Sequence, residues 1–272
     1  MKRELDTAQK AMQSLTTKFS TDILKPFYDA VEKYKLFEKG DKIAVCVSGG
    51  KDSALLAILM KWYERNKGGI EVKFISMDPG YTLEHRQKLI SNCELLGIDA
   101  HMFDTNILAA ADSTDKSPCG ICARMRRGWL YKKAKEIGCN KMALGHHFDD
   151  VIETTLMGML YGGQLQGMLP RIKSRNFENI ELIRPMYMVS EDAIIRWCEY
   201  NGLSFIRCAC KYAEGEDASK RAETKRIIAE LEKLNPRVKK NIFSSIHNAD
   251  CDTMVEYKVG WERHSFLERF EK

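Results

Sequence analysis

Short apolar runs and longer helical stripes alternate along the first half of the chain. Residues 43–47 and 72–77 are short runs rich in apolar and β-branched residues, which is typical of buried strands. Further strands are predicted near residues 100–103 and ending at residue 144, whereas from residue 54 the apolar spacing becomes helical. Because strand and helix alternate, the pattern predicts an α/β fold with parallel strands and right-handed crossovers.

Helical patterns flank this α/β region on both sides. Residues 1–40 carry apolar residues at helical spacing and form a predicted N-terminal helical extension. The α/β domain is predicted over residues 41–210, and residues 211–272 form a basic, helical C-terminal extension. Its lysines and arginines make either a face for RNA or a solvated helix surface, and the sequence leaves both open. Trp197 lies in a helical pattern and is predicted to be a core residue.

Composition is that of a globular protein with a full core. Hydrophobic residues make up 44% of the chain and charged residues 30%. The net charge of +5 permits a nucleic-acid partner but does not require one. No run approaches the ~18 apolar residues of a membrane span, and the amino terminus lacks the apolar segment of a signal peptide. We therefore expect a cytoplasmic protein with no membrane partner.

The nine cysteines favour thiol or metal chemistry over a disulfide framework, because their number is odd and the chain is long. Those that occur singly in apolar or helical surroundings are predicted to be core residues: Cys46, Cys93, Cys139, Cys198 and Cys251. The remaining cysteines form two pairs, and these pairs are the candidates for chemistry.

The first pair, Cys119-x-x-Cys122, begins a predicted helix, where the helix dipole and nearby arginines favour thiolates. The second pair is Cys208-x-Cys210. Zinc, an iron–sulfur cluster, a redox disulfide and plain packing all remain open for a CxxC motif. A CxxC motif with one later cysteine suggests three protein ligands and an open fourth position on the metal.

The loop Ser48-Gly49-Gly50-Lys51-Asp52-Ser53 lies between the first predicted strand and the first predicted helix of the α/β region. Successive backbone N–H groups of such a turn converge on an anion, and the helix dipole adds to the attraction. Lys51 can add a full charge against phosphate, and Asp52 can hold a magnesium ion. An ordinary strand-to-helix turn is the alternative, since Gly-Gly is common in turns. The spacing matches neither the Walker motif nor GxGxxG.

Two further segments end predicted strands, at the edge where parallel sheets bind ligands. The backbone around Met77 is placed either to read an adenine or to form a structural turn. In GHHFDD, residues 145–150, the aspartates begin a predicted helix. Asp150 is therefore either a helix cap or a catalytic group.

The segments SGGKDS, CGICARMRRG, ALGHHFDD, MLYGGQLQGMLP and IRPMY, followed by a cysteine pair before a helix, occur in this order. SGGKDS resembles the pyrophosphate-loop (PP-loop) signature, SGGxDS, of the N-type ATP pyrophosphatases. The whole series resembles the TtcA family of ATP-dependent tRNA 2-thiocytidine synthetases, within the TtcA/TtuA PP-loop tRNA thiolases. The resemblance implies a Rossmann-like parallel-sheet sandwich of the adenine nucleotide alpha hydrolase type. It also implies ATP, Mg²⁺ and a 4Fe–4S cluster with three cysteine ligands and an open fourth iron.

The resemblance implies roles for individual residues. The ATP phosphates and Mg²⁺ would be held by Ser48, Gly49, Gly50, Lys51, Asp52 and Ser53. Met77, Arg126 and Gly145 would contact the nucleotide. Asp150 would lie near ATP or Mg²⁺ and act in catalysis with Lys51 and Asp52.

The cluster ligands implied by the resemblance are Cys119, Cys122 and Cys210. Cys208 stays an alternative to Cys210, because this chain has CxC where the family has CxxC.

The implied activity is ATP-dependent tRNA thiolation, a sulfurtransferase reaction that releases AMP and pyrophosphate. The enzyme would adenylylate the C2 oxygen of a cytidine in the anticodon loop and replace that oxygen with sulfur delivered by the cluster. Expected partners are the tRNA anticodon stem-loop, a sulfur donor such as a cysteine desulfurase or free sulfide, and a second copy in a homodimer. Two other functions stay open. One is a lysidine-synthetase-like PP-loop tRNA ligase with zinc-binding cysteines, and the other is a non-catalytic, ATP-binding redox sensor.

Overall fold

A six-stranded sheet forms the centre of the molecule in the computed structural model, which describes residues 5–108, 118–205 and 219–270 and, for residues 118–121, the backbone alone. The strands are β1 Lys42–Cys46, β2 Glu71–Asp78, β3 Ala100–Asp104, β4 Lys141–Ala143, β5 Arg171–Lys173 and β6 Glu181–Ile183. Their order is β3-β2-β1-β4-β6-β5, and all neighbours are parallel except β5 and β6. The predicted α/β fold with parallel strands is confirmed.

Helices connect and cover the strands. They are α1 Thr7–Thr16, α2 Lys25–Lys33, α3 Lys51–Lys67, α4 Leu83–Leu95, α5 Pro118–Glu136, α6 Phe148–Gly162, α7 Glu191–Tyr200, α8 Lys220–Leu234, α9 Val238–Ser245 and α10 Leu267–Phe270. A π-helical turn at Ser20–Leu24 precedes α2, and a two-stranded hairpin, β7 Glu256–Val259 and β8 Glu262–Ser265, precedes α10. Among the described helices, none is long and apolar enough to cross a bilayer.

The sheet separates two hydrophobic cores. On one face, Leu55 and Ile58 of α3 are buried in one cluster with Val45, together with residues of α1, α2 and α7. On the other face, Tyr131 and Ala134 of α5 are buried in a second cluster, which contains Met142 and Leu182. Successive strand residues alternate between the two cores, as the pleat requires, so Ala143 and Ile183 belong to the first core.

The N-terminal helices belong to the first core. Trp197 of α7 is 0% exposed, and its Nε1–H donates a 3.1 Å hydrogen bond to Ser14 Oγ on α1. The prediction that Trp197 is a core residue is therefore confirmed. The burial of four isolated cysteines is confirmed as well, but Cys251 is exposed in a short 3₁₀ turn, so its core prediction is wrong.

Three short β-elements were not predicted from the sequence: β5, the three-residue strand β6, and the hairpin of β7 and β8. The edge strand β5 has three residues, and the hairpin strands β7 and β8 have four each. Such short segments are too brief to show a clear two-residue alternation. The strand predicted at 204–207 is absent at residues 204–205, and its remainder lies outside the described residues.

Candidate functional site

The SGGKDS loop leads from β1 into α3 at the carboxyl edge of the sheet. Gly49 has φ +85°, a backbone conformation that favours glycine, and Gly50 is the extended N-cap of α3. No side chain of the described residues caps this terminus. The first amide groups of α3 therefore remain available to an anion, with the helix dipole behind them.

Ser53 fixes the shape of this loop from inside. Its hydroxyl accepts hydrogen bonds from the Ser48 amide at 3.0 Å and from Ser48 Oγ at 3.1 Å, and donates one to the Gly50 carbonyl at 2.9 Å. Ser53 is buried. We infer that the Ser53 hydroxyl holds the loop backbone in a shape that is ready for a bound phosphate.

Gly145 packs against the same loop from the next strand. A Cβ at this position would lie 3.1 Å from the carbonyl carbon of Asp52 and 3.1 Å from the amide nitrogen of Ser53. A Cβ at this distance would require the backbone of α3 to shift by a few tenths of an ångström, so the backbone after β4 packs directly against the start of α3. The structure thus brings Gly145 to the loop, and its contact with the nucleotide, which the resemblance implies, stays a prediction.

Lys51 lies between two carboxylates. Its Nζ is 3.1 Å from Asp52 Oδ1 and 3.0 Å from Glu191 Oε1, the latter at the start of α7. Burial lowers the pKa of Lys51, but the charges of Asp52 and Glu191 raise it by more, and the net pKa is raised. Lys51 therefore stays protonated at neutral pH and offers a full positive charge beside the loop.

Asp52 has a carboxylate oxygen that could bind a cation. Its Oδ1 is buried and, within the described residues, has no hydrogen bond, although Lys51 Nζ is near and His147 Nε2 lies 3.8 Å away. A buried carboxylate oxygen without a hydrogen bond suits Mg²⁺, which prefers oxygen ligands. Asp52 is thus chemically suited to the magnesium role.

Asp150 belongs to the first turn of α6 and faces the same place. Its Oδ2 accepts the His147 amide at 3.0 Å, and it lies 3.5 Å from His147 Nε2. Burial raises the pKa of Asp150, but His147, His146 and Arg221 lower it by more, and the carboxylate is favoured. Asp150 is both a helix cap and a charged group of the site, so the two interpretations from sequence do not exclude each other.

A ring of ion pairs ties α8 to this site. Arg221 NH1 donates to Asp150 Oδ1 at 2.7 Å and to Glu153 Oε2 at 2.8 Å. Lys225 lies 3.6 Å from Glu153 Oε1 and 2.9 Å from Glu191 Oε2. The ring closes through contacts already described, in the order Lys51, Glu191, Lys225, Glu153, Arg221, Asp150, His147 and Asp52.

The pKa values of two carboxyl groups in the ring are shifted in opposite directions. Burial disfavours the charge of Glu191, but Lys225 and Lys51 lower its pKa to about 2. Burial raises the pKa of Glu153, and Lys225 and Arg221 only partly offset that effect. Glu191 is therefore an ionised partner of Lys51. In Glu153, by contrast, burial disfavours the charged form of the carboxyl group.

The end of β2 forms another part of the site. Asp78 Oδ1 accepts the amides of Gly80 at 2.9 Å and Tyr81 at 2.7 Å, which makes a tight turn directly after Met77 and Asp78. Arg126 of α5 donates to Tyr81 Oη at 3.2 Å. The structure therefore brings Arg126 next to the turn that follows Met77, and both positions lie at the carboxyl edge.

The cysteine predictions are only partly covered by the described residues. Cys122 is half-buried on α5, in the same helix as Arg126. The side chain of Cys119 and all of Cys208 and Cys210 lie outside the described residues. No three His, Cys, Asp or Glu side chains in the described ranges are grouped to hold a metal ion. Ligation of a cluster by these cysteines thus stays a prediction.

Sequence reasoning missed Glu191, Glu153 and the inward role of Arg221 and Lys225. The acidic residue after Ser190 has the pattern of an ordinary helix start, with Ser190 Oγ accepting the Ala193 amide at 3.3 Å. Nothing local in the sequence marks Glu191 as a partner of Lys51. The sequence did allow a face for RNA on the basic helix, but Arg221 and Lys225 point toward the site instead.

A family model for the PP-loop domain matches residues 11–212. A tRNA-cytidine(32) 2-sulfurtransferase from Geotalea uraniireducens is 37% identical over 234 residues, covering 85% of this chain and 92% of the relative. A protein of the same description from Geobacter sulfurreducens is also 37% identical, covering 85% of this chain and 90% of the relative.

A solved structure shares the fold. The U34-tRNA thiolase NcsA from Methanococcus maripaludis, with its 4Fe–4S cluster, superposes with a TM-score of 0.67 at 22% identity, covering 87% of this chain and 81% of NcsA. This similarity confirms the predicted PP-loop fold class. Together with the family model and the sequence relatives, it leads to one conclusion. The chain belongs to the PP-loop family and, within it, to the family of the tRNA-cytidine(32) 2-sulfurtransferases.

Proposed function

We propose that this protein is an ATP-dependent sulfurtransferase that converts a cytidine of tRNA to 2-thiocytidine, at position 32 of the anticodon loop. The observation that carries the proposal is the match to tRNA-cytidine(32) 2-sulfurtransferases over 85% of the chain. The geometry of the phosphate loop agrees with it, because an uncapped helix terminus, Lys51 and Asp52 converge at one sheet edge.

The proposed reaction has two group transfers. The C2 oxygen of cytidine attacks the α-phosphorus of ATP, and pyrophosphate leaves with its electron pair. The adenylylated oxygen is then a good leaving group, so a sulfide attacks C2 and AMP departs with the original oxygen. A base carbonyl is a poor electrophile, which is why the first transfer is needed.

The residues at the carboxyl edge of the sheet are assigned to the first transfer. The loop amides and Lys51 stabilise charge on the transferring phosphoryl group. Asp52 would hold Mg²⁺, which would supply charge stabilisation for the phosphoryl transfer, and Asp150 orients His147 beside Asp52. Gly145 allows the loop to approach, and Met77 and Arg126 contact the nucleotide at the end of β2.

The second transfer is assigned to the cysteines. Cys119, Cys122 and Cys210 would hold a 4Fe–4S cluster, with Cys208 as the alternative third ligand. When bound, such a cluster supplies sulfide from its open iron. The sulfur donor is either a cysteine desulfurase or free sulfide. The same proposal includes a homodimer and a cytoplasmic location. It also divides the chain into an N-terminal helical extension (1–40), the PP-loop domain (41–210) and a basic C-terminal extension (211–272).

The test is thiolation of a defined tRNA. Anaerobically reconstituted protein is incubated with ATP, Mg²⁺, sulfide and a transcript carrying cytidine at position 32, and nucleosides are analysed by mass spectrometry. We expect 2-thiocytidine with release of AMP, none with Lys51→Ala, and none with a transcript carrying uridine at position 32. Unmodified tRNA with a loaded cluster would overturn the proposal.

Metal analysis decides the ligands. We expect about four irons and four labile sulfides per chain, lost in Cys122→Ala and Cys210→Ala and retained in Cys208→Ala. Loss of iron and sulfide in Cys208→Ala, with both retained in Cys210→Ala, would identify Cys208 as the third ligand. Zinc without labile sulfide would favour the ligase alternative, and ATP binding without any tRNA-dependent turnover would favour the redox sensor.

A further inference from the structure

Arg184 is a buried cation at the carboxyl edge of the sheet, directly after β6. It is 6% exposed. The Leu144 amide donates to the Ile183 carbonyl at 3.0 Å, so the residues that follow β4 and β6 lie side by side. Leu182 faces the core under α5, and strand alternation directs Arg184 to the same side. Arg184 therefore lies beneath the helix that carries Cys122 and Arg126.

The guanidinium of Arg184 is poorly satisfied. One of its five N–H donors bonds to the Leu169 carbonyl, whereas Nε is buried without a partner among the described residues. Among the described residues Arg184 forms no ion pair with a carboxylate, and Asp150 acts on it only from farther away, as a charge that raises its pKa. Burial lowers the pKa of Arg184 to about 10, which still leaves it charged at neutral pH. A buried charge without a directly paired carboxylate is costly, so a site that retains one is suited to binding an anion.

His146 provides a second polar group at the same edge. Its Nδ1 is buried and lacks a hydrogen-bond partner within the described part of the chain. Burial and the charge of Arg184 lower the pKa of His146 to about 4, so the imidazole is neutral and does not compete with Arg184 for an anion. A neutral imidazole beside an arginine can donate to an anionic oxygen.

Resting on the proposed function, we propose that Arg184, assisted by His146, binds a phosphate group at the carboxyl edge of the sheet, beside the ends of β4 and β6 and beneath α5. A planar guanidinium suits phosphate because two parallel N–H donors meet two oxygens. Two sources share this chemistry: the nucleotide and the tRNA backbone. Arg184 does not belong to the SGGKDS loop, which packs against Gly145 after the neighbouring strand β4.

Binding measurements distinguish the two sources without any thiolation. A non-hydrolysable ATP analogue and a tRNA transcript are titrated separately into wild type, Arg184→Gln and Arg184→Lys. Arg65→Gln is the control, since Arg65 is exposed in the last turn of α3, away from the carboxyl edge. Thermal unfolding of each variant reports whether it folds, and Arg184→Lys keeps the charge if Arg184→Gln does not fold.

We expect Arg184→Gln to weaken one ligand about tenfold or more, Arg184→Lys to weaken it less, and Arg65→Gln to change neither. If the tRNA backbone is the source, the salt dependence of log Kd should also lose about one unit of slope, which a merely structural role would not cause. If the nucleotide is the source, only the ATP analogue is affected. Unchanged affinity for both ligands in folded Arg184→Gln or Arg184→Lys would overturn the inference, whether or not the enzyme thiolates tRNA.

Discussion

Gly145 is the residue where two separate parts of the site meet. The backbone after β4 approaches the start of α3 so closely that a single methyl group would lie 3.1 Å from backbone atoms of Asp52 and Ser53. The atoms in the way are backbone atoms, which cannot rotate aside as a side chain would. The position of the phosphate loop therefore depends on the absence of a side chain on the neighbouring strand.

Gly145→Ala should weaken ATP binding at least tenfold, about 1.4 kcal/mol, because the loop backbone must shift. Titration calorimetry with a non-hydrolysable ATP analogue measures this. Gly128→Ala is the matched control, since a Cβ there meets nothing within 4 Å. As a helical position, residue 128 should gain up to ~1 kcal/mol of stability from alanine. An unchanged affinity in Gly145→Ala would contradict the close approach.

The lowered pKa of Glu191 implies that the stability of the fold depends on pH. Its pKa is about 2 in the folded state, against 4.5 for a glutamate exposed to water. A lowered carboxyl pKa stabilises the folded state above the unfolded value, and this contribution is lost as pH falls from about 4.5 toward 2. Glu191→Gln should therefore cost about 1–2 kcal/mol at pH 7 and progressively less below pH ~4.5.

Urea unfolding at several pH values between 7 and 3 tests this expectation. The exposed Glu178 supplies the control, because Glu178→Gln should follow the wild-type curve at every pH. A gap between wild type and Glu191→Gln that stays constant down to pH 3 would show that the carboxylate charge is not what stabilises the contact.

Helix α8 shows what one-dimensional patterns can and cannot reveal. The helix itself was predictable, because Ser219 precedes it as N-cap and its apolar residues recur at helical spacing. Which way its charges point was not predictable. Arg221 meets Asp150 across 71 residues of sequence, and Lys51 meets Glu191 across 140. The SGGKDS loop was found because strand, turn and helix are consecutive, whereas partners from distant segments leave no local signal.

Removing Arg221 should leave Glu153 as a buried carboxylate whose remaining cationic partner is Lys225, at 3.6 Å. The Glu153 side chain is 3% exposed, and Arg221 is 43% exposed. Arg221→Ala is expected to cost about 1–2 kcal/mol in the free energy of unfolding. Glu153→Gln should cost less, because burial already raises the pKa of this group. The double variant should lose less than the sum, by at least ~0.5 kcal/mol.

The same helix offers a control cycle. Glu230 and Lys233 form a 2.7 Å pair in which both side chains are 69% exposed. Exposed pairs contribute little, so Glu230→Gln and Lys233→Ala should be additive within about 0.3 kcal/mol. If the Arg221–Glu153 cycle were equally additive, the ring of ion pairs would have no cooperative energy.

At the scale of the whole molecule, α9 packs against the start of α6 and the segment that precedes α7. Phe243 of α9 contacts Phe148 at a ring-centroid distance of 4.8 Å and Tyr187 at 5.4 Å. Lys239 of the same helix lies 3.3 Å from Asp149 Oδ1, and Asp149 Oδ2 accepts the Glu191 amide at 2.7 Å. Aromatic packing and an ion pair thus join the extension to the helix starts that form the site.

Phe243→Ala should therefore lower stability of the whole protein rather than loosen its C-terminal part alone. We expect a loss of about 2 kcal/mol, for a partly buried aromatic residue, in a single cooperative transition seen equally by circular dichroism and tryptophan fluorescence. Phe270 is 80% exposed, so Phe270→Ala should change stability by less than ~0.5 kcal/mol. ATP binding should weaken with Phe243→Ala, because α9 holds Asp149 and through it the start of α7. Two separate transitions in Phe243→Ala would instead mean that residues 219–270 unfold as an independent unit.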